Sequence, residues 1–466
     1  MSFTSLLNHE NNDRPCILDD RIDVWLTFAQ FHDKASEWRE QLPGPKALVF
    51  LYLENSIECV ASLFGAVAAG HAVALLDPSL PLASREKLNE HYRPDFVLSG
   101  EENGKLVATH QPQDDHIDPE LTILLSTSGS TGSPKFVRLT ADNLILNAKA
   151  IASTLGIEPG DVACAHLPLH YSFGLSVLTS HLMAGAAVRL TESGFTDRIF
   201  WSGMKEAGVT HLPGVPFHFQ MLERLRYERI DLPALKSMAQ AGGFLEIASR
   251  TKAHDYMSRR AGRFYVMYGQ TEAAPRMTTL AHDDFSQSPA SVGNAVPGGK
   301  IRILDDKAQE LSAGQKGDVE YSGPNVMLGY AQERADLSKG DRQHGSLMTG
   351  DIGFLDEAGR LTLVGRAKRS TKVYGLRVNL DEVEGLLTRA IEGDDTDIAI
   401  TQRMENLVIH YLATDEMPNL ELEERAKRLL ADHFTLPKSC FKFSVAGEIP
   451  RTARGKIDYQ QLEQMQ

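Results

Sequence analysis

With 466 residues the chain exceeds what a single hydrophobic core serves, so two or three domains are expected. Hydrophobic residues make up 42% and charged residues 24%, as in ordinary soluble globular proteins. The formal net charge of −14 argues against a nucleic-acid surface, which needs Lys/Arg patches, but leaves single nucleotides open because loops and helix ends bind them locally.

Taken in chain order, the first 125 residues alternate helix-like and strand-like segments. Trp25–Arg39 reads as helix, Ala47–Tyr52 as strand, Ile57–Ala69 as helix and Ala72–Leu76 as strand, before Asp77-Pro78 turns the chain. Phe96–Leu98 and Leu121–Leu125 add strands, and such alternation predicts a mostly parallel sheet with helices on both faces. The most membrane-like stretch, Val60–Leu76, is broken by Ser62, Gly65, Gly70 and His71 and does not read as a spanning helix.

Residues 126–135 then read Ser-Thr-Ser-Gly-Ser-Thr-Gly-Ser-Pro-Lys. Glycines let backbone N–H groups approach phosphate oxygens, and the hydroxyls add donors. The apolar run before it places this loop at a strand's carboxyl end, where open α/β sheets bind ligands. A flexible linker is the bland alternative, disfavoured between that strand and the helix-like Asp142–Leu155. The kinase-type phosphate loop is excluded, because Gly129, Gly132 and Lys135 have the wrong spacing and Gly455-Lys456 is followed by Ile457.

Val162–His166, Ala187–Leu190 and Phe264–Met267 continue the buried strands. From Gly293 to Leu363 the texture changes to short strands, Lys300–Leu304, Asp318–Tyr321, Gly353–Leu355 and Leu361–Val364, with Asp356–Gly359 as a hairpin loop. This predicts a small β-rich subdomain. A basic stretch, Lys368-Arg-Ser-Thr-Lys372, and a helix-like Asp381–Arg389 open a compact α+β tail. Cys16, Cys59, Cys164 and Cys440 are scattered without a C-x-x-C pair, as in a reducing cytosol, and no secretory signal is visible. The expectation is a cytoplasmic protein without a membrane span.

The Ser/Thr/Gly loop resembles the signature Thr-Ser-Gly-Ser-Thr-Gly-x-Pro-Lys-Gly of the adenylate-forming enzymes, with Phe136 in place of the last glycine. Further segments resemble that superfamily in the same order. They are Ala69-Gly through Asp77-Pro78, Leu167-Pro-Leu-His170-Tyr-Ser-Phe-Gly174, Tyr268-Gly-Gln-Thr-Glu272, Thr349-Gly-Asp351, Gly365-Arg366 through Gly375-Leu-Arg377, and Pro450-Arg-Thr-Ala-Arg-Gly-Lys456. The resemblance covers essentially the whole chain. It implies a large amino-terminal domain, 1–366, of doubly wound α/β sheets plus a small β-barrel-like subdomain. A small mobile α+β domain, 369–466, would pivot on Lys368.

The implied chemistry is attack of a carboxylate on the α-phosphorus of ATP, then transfer of the acyl group to a thiol of CoA or a carrier-protein phosphopantetheine. Because charge accumulates on phosphate oxygens, such catalysis is positioning and electrostatic stabilisation. By resemblance, Thr127, Ser128, Gly129, Ser130, Thr131, Gly132 and Lys135 hold the β- and γ-phosphates, Thr271 contacts the α-phosphate, and Glu272 binds Mg²⁺. Tyr268 and Gly269 lie on one face of adenine and Gly242 and Gly243 on the other, while Asp351 and Arg366 take the ribose. Lys456 bridges the substrate carboxylate and the α-phosphate, and His170 lines the acyl or thiol approach to the adenylate. Phe173, Gly174, Val215 and Phe217 are the expected acid pocket. Taken singly, Tyr268 reads as core, Glu272 as a helix N-terminal carboxylate and Lys456 as a solvated lysine; the roles rest on the shared motif order. His166 and His170 are four apart, but Pro168 between them disfavours the helix that a metal pair needs.

Amino-acid-activating relatives place an aspartate in the histidine segment, and Leu167–Gly174 has none, so an uncharged acyl or aryl acid is preferred. No phosphopantetheine attachment motif occurs, so the chain is not its own carrier. The alternatives are an adenylation domain serving only a carrier protein, a non-catalytic nucleotide-binding protein, and a luciferase-like oxygenase. A kinase would release ADP, not AMP and pyrophosphate.

Overall fold

The structure is a computed structural model that describes all residues except 1–2, 8, 10–11, 101–105, 112–115, 127–134, 367–368, 374–375, 391–397, 404–405, 413–419, 435, 452–456 and 465–466. Two compact units are formed. One comprises Met1–Ile301, Glu320–Leu347 and Gly359–Leu361, and the other Arg302–Val319, Met348–Ala358 and Thr362–Gln466.

The first unit is built on two sheets. The seven-stranded sheet has the spatial order Gly329–Ala331, Phe136–Thr140, Leu121–Ser126, Ala72–Leu76, Leu48–Tyr52, Phe96–Gly100, Leu106–His110. Its four strands from Leu121–Ser126 to Phe96–Gly100 are parallel, and antiparallel strands flank them. Leu48–Tyr52 and Ala72–Leu76 are buried at every residue, which is why they read as unbroken apolar runs.

In the nine-stranded sheet six parallel strands, in the order Arg263–Gly269, Ser237–Gln240, His211–Gly214, Val162–Ala165, Ala187–Leu190, Pro15–Asp19, carry antiparallel strands at both edges. The edge strands are Arg276–Leu280 and Asn294–Ala295 on one side and Val24–Thr27 on the other. The expected parallel α/β architecture is therefore present twice. Among the described residues, no helix is long and apolar enough to cross a membrane.

Two local readings change. The helix expected over Trp25–Arg39 begins only at Phe28, because Val24–Thr27 pairs with Pro15–Asp19. Thr27 starts the helix with a reciprocal cap: Gln30 N donates to its hydroxyl at 3.3 Å, and Thr27 N donates to Gln30 Oε1 at 2.9 Å. The Ser/Thr/Gly loop does not lead straight into a helix. It joins Leu121–Ser126 to the antiparallel strand Phe136–Thr140, and the helix Ala141–Leu155 follows, capped by Thr140.

A four-stranded sheet takes the order Lys300–Leu304, Gly317–Ser322, Ser346–Leu355, Leu361–Arg366. In the tail, Ser370–Val373 and Leu376–Asn379 form a hairpin before the helix Leu380–Ala390. Ile398–Arg403, Asn406–Leu412 and Phe441–Ala446 form a three-stranded sheet. Val383, Leu387, Ile400, Ile409, Leu430 and Phe441 close a core of its own.

Candidate active site

The strand Arg263–Gly269 ends in a doubled-back turn that Gly269 makes possible. A Cβ there would lie 1.9 Å from the Pro275 carbonyl oxygen, and Gln270 N donates to that same carbonyl at 2.9 Å. The turn leaves Tyr268 half-buried at the strand's end, its hydroxyl 3.4 Å from Gln270 Nε2. The single helical turn Thr271–Ala273 follows. Thr271 Oγ1 lies 3.1 Å from Ser172 Oγ, the first residue of the helix Ser172–Met183.

Glu272 Oε1 accepts from the Tyr330 hydroxyl at 2.8 Å, and Lys135 Nζ stands 3.2 Å from the centroid of the Tyr330 ring. Burial first, and the Glu272 charge second, raise the Tyr330 phenol, so it remains a donor to the carboxylate. The last residue of the Ser/Thr/Gly loop and the carboxylate of the Thr271–Ala273 turn are thereby linked through one aromatic ring. Tyr330 was not anticipated; Gly329-Tyr330-Ala331 carries no signal that separates it from a core tyrosine.

A single carboxylate suits Mg²⁺, which is commonly held by one or two carboxylates with substrate phosphates and water. Among the described residues no group of three or more His, Cys, Asp or Glu could hold a metal. Magnesium bound here would use Glu272 with phosphate oxygens.

The segment before helix Ser172–Met183 is pinned by buried Asn55. Its amide donates to the carbonyls of Ala165 at 2.9 Å and Leu167 at 3.1 Å, and its oxygen accepts from Leu169 N at 3.1 Å. His170 Nε2 then lies 3.7 Å from Asp77 Oδ2. The lack of an acidic residue within Leu167–Gly174 therefore does not extend to space, since the Asp77-Pro78 turn brings a carboxylate beside His170. Gly174 admits a close approach, a Cβ there falling 2.2 Å from the Pro168 carbonyl oxygen. Gly242, at φ +81°, sits where a Cβ would meet the Tyr171 hydroxyl at 2.7 Å and Val215 at 3.1 Å. Gly243 is exposed, and its carbonyl accepts from Gln240 Nε2 at 2.8 Å. Phe173 is 3% exposed and borders a cavity, whereas Phe217 is 61% exposed on the first turn of the helix Pro216–Arg224.

In the other unit, Asp351 is buried within the strand Ser346–Leu355, next to Gly350 at φ +72°. Arg366 Nε lies 3.4 Å from Asp351 Oδ1, so the two expected ribose residues are neighbours. Thr127, Ser128, Gly129, Ser130, Thr131, Gly132, Lys368 and Lys456 lie outside the described residues.

One residue the sequence reading missed is Arg276, first in the wholly buried strand Arg276–Leu280. It borders a cavity under helix Ser172–Met183 together with Phe173, Ser176, Pro213, Ala239 and Met267. An arginine opening an otherwise uncharged strand, just after the Tyr268–Glu272 segment, is the signal that could have found it.

The model of the family described as AMP-binding enzyme matches residues 7–331. An oxalate–CoA ligase of Arabidopsis thaliana is 30% identical over 78% of the chain and 71% of that protein. A 2-succinylbenzoate–CoA ligase of Bacillus licheniformis is 27% identical over 97% of the chain and 99% of that protein. The solved structure of O-succinylbenzoate Coenzyme A synthetase from Bacillus subtilis, in complex with ATP and magnesium ion, is similar in fold with a TM-score of 0.80. It is 24% identical, covering 99% of each chain. With a family match across most of its length and the motifs in family order, the chain belongs to the AMP-binding enzymes and is an AMP-forming acid–thiol ligase.

Proposed function

We propose that the chain activates a carboxylic acid lacking an α-ammonium group and delivers it to the thiol of CoA, in two half-reactions. In the first, a carboxylate oxygen bonds to the α-phosphorus of ATP while the bond to pyrophosphate breaks, giving an acyl-adenylate. In the second, the thiol sulfur bonds to the acyl carbon, the carbon–oxygen bond to AMP breaks, and the thiol proton passes to solvent. The contact that carries the reading is the Lys135–Tyr330–Glu272 chain, which sets a cation over the face of one ring and a carboxylate at its hydroxyl. Those are the groups that phosphate oxygens and a phosphate-bound Mg²⁺ require.

In this reading Thr271 contacts the α-phosphate and Tyr268, Gly269, Gly242 and Gly243 hold adenine. Asp351 and Arg366 take the ribose hydroxyls, and His170 lines the acyl approach. Lys456 meets the charge that develops between carboxylate and α-phosphorus. The preference against amino acids is supported by Arg276, since a cation beside the pocket disfavours an ammonium. The full-length relative named as a CoA ligase supports CoA as acceptor; a carrier-protein phosphopantetheine is the second candidate.

ATP–pyrophosphate exchange across a panel of carboxylic and amino acids, followed by thioester formation with CoA, tests the reading. Lys456→Ala is expected to lower exchange on the order of 100-fold or more while ATP binding persists. Undiminished exchange in this variant at saturating ATP and acid would remove Lys456 from the reaction. Exchange driven best by an amino acid would overturn the substrate class.

A further inference from the structure

Arg138, Arg189, Arg250, Arg276 and Arg334 are all only 0–4% exposed, and four of them are partnered. Arg138 donates to the carbonyls of Lys339, Leu328 and Gly340, the last two at 3.2 Å. Arg189 pairs with Asp20, and Arg334 with Asp95 at 3.0 Å. Arg250 reaches the carbonyls of Pro289, Ala290 and Ser291 at 3.3–3.4 Å.

Arg276 differs. Among the described residues its guanidinium has no carboxylate or carbonyl partner, and Nε is buried with no hydrogen bond at all. Its near neighbour is an aromatic face, the Phe173 ring, 5.1 Å away. Burial lowers its pKa to about 10, so it is still cationic at neutral pH. A buried cation is ordinarily paired, because the loss of hydration is severe unless a counter-charge or hydrogen bonds compensate.

Of the other polar groups lining the cavity, His211 is engaged by Ser237 Oγ at 2.5 Å and by Asp161 Oδ2 at 3.1 Å. Ser176 and Ser180 donate their hydroxyl protons to the carbonyls of Phe173 at 2.8 Å and Val177 at 3.3 Å, leaving only lone pairs toward the cavity. His181 is held neutral by burial, its pKa falling to about 3. The cavity is also adjacent to the reacting centre. Arg276 is the strand partner of Gly269, and Phe173 follows Ser172, whose hydroxyl touches Thr271.

We propose that Arg276 pairs with a second carboxylate on the acid, so that the substrate is a dicarboxylic acid activated at one end and anchored by this guanidinium at the other. The inference rests on the ligase reading above and names its substrate class. A planar carboxylate matches the fork of guanidinium N–H groups. A monocarboxylic acid of equal length would enter the same cavity and leave the cation unpaired.

The test compares wild type, Arg276→Gln, Arg276→Lys and Arg276→Met with succinate, glutarate and phthalate against butyrate, valerate and benzoate. Calorimetric binding in the presence of ATP and pyrophosphate exchange are both measured. In the wild type, at least one diacid is expected to bind and exchange ten-fold or more better than its size-matched monoacid. Arg276→Gln is expected to erase that ratio with ATP affinity unchanged, and Arg276→Lys to retain part of it. Arg276→Met is expected to unfold at a higher urea concentration than wild type without acid, because an uncompensated buried charge has been removed.

A wild type that prefers monoacids, or a ratio that survives Arg276→Gln, overturns the proposal while leaving the ligase intact. Destabilisation by Arg276→Met with the ratio unchanged shows a structural arginine and also overturns it. Diacid binding that depends on Arg276 without exchange for any acid supports the site and instead removes the ligase reading.

Discussion

Phe136 stands where the family signature carries a glycine, and its surroundings explain why a large side chain is accepted. It is 1% exposed, with its ring 4.9 Å from Tyr92 and 6.2 Å from Phe50. As the first residue of a strand its side chain enters the core of the seven-stranded sheet. Phe136→Ala is therefore expected to cost about 3–5 kcal/mol of stability, as a buried aromatic truncation does. Pyrophosphate exchange per folded molecule should stay within about three-fold of wild type. Urea denaturation and exchange at saturating substrates check the two halves, and a large loss of exchange with unchanged stability would place the side chain in the loop's function. Arg276 and Asn55 were less legible, because whether a polar residue is buried and paired depends on strands and turns distant in sequence. Asn55 serves backbone groups more than a hundred positions away.

At the scale of elements, the strands easiest to read were those whose every residue is buried, since a parallel strand covered on both faces needs no polar alternation. Ala72–Leu76, Leu121–Leu125 and Ala187–Leu190 are of this kind. Phe136–Thr140 was hidden by Arg138 at its centre, whose charge is answered by carbonyls from residues 328–340. The tail begins with a comparable anchor. Arg369 is bound to Asp381 and to Glu384 at 2.5 Å, lies 3.5 Å from the Tyr459 ring centroid, and so ties the chain's entry to the tail's own core. Glu384 in turn accepts from Ile400 N at 2.6 Å. In the proposed two-step cycle Lys368 is the expected pivot, because domain rotations are usually absorbed by a few residues at the ends of elements. Proline at 368 fixes φ near −65° and restricts residue 367. Lys368→Pro is accordingly expected to retain much of the adenylate-forming half-reaction and to lose thioester formation from pre-formed acyl-adenylate. Equal loss in both, or none in either, would put the pivot elsewhere.

For the molecule as a whole, the buried imidazoles of the first unit set how stability depends on pH. His181 is 3% exposed, and burial, then the neighbouring His211, hold its pKa at about 3. In the unfolded chain the same ring titrates near its ordinary value of about 6.5. Between those values the unfolded state binds the extra proton, so this contribution is complete above about pH 6.5 and is lost as pH falls toward 3. Asp161 acts in the same direction at lower pH. Burial alone would raise its carboxyl, but hydrogen bonds from His211, Lys236 and Glu158 N outweigh it and hold the group below the usual carboxylate range. Its contribution is therefore present above about pH 4 and drains away below it. Lowering the pH from 7.5 to 5 should cost roughly 2 kcal/mol through His181 alone, at about 1.4 kcal/mol per pH unit. His181→Leu should flatten the urea-midpoint profile across this interval while leaving the steeper loss below pH 4. A midpoint unchanged between pH 7.5 and 5 in the wild type, or a slope unaffected by His181→Leu, would mean that the ring is charged in the folded protein. Below about pH 6.5 the cavity beside Arg276 would then contain a second cation, and a diacid would have two partners there instead of one.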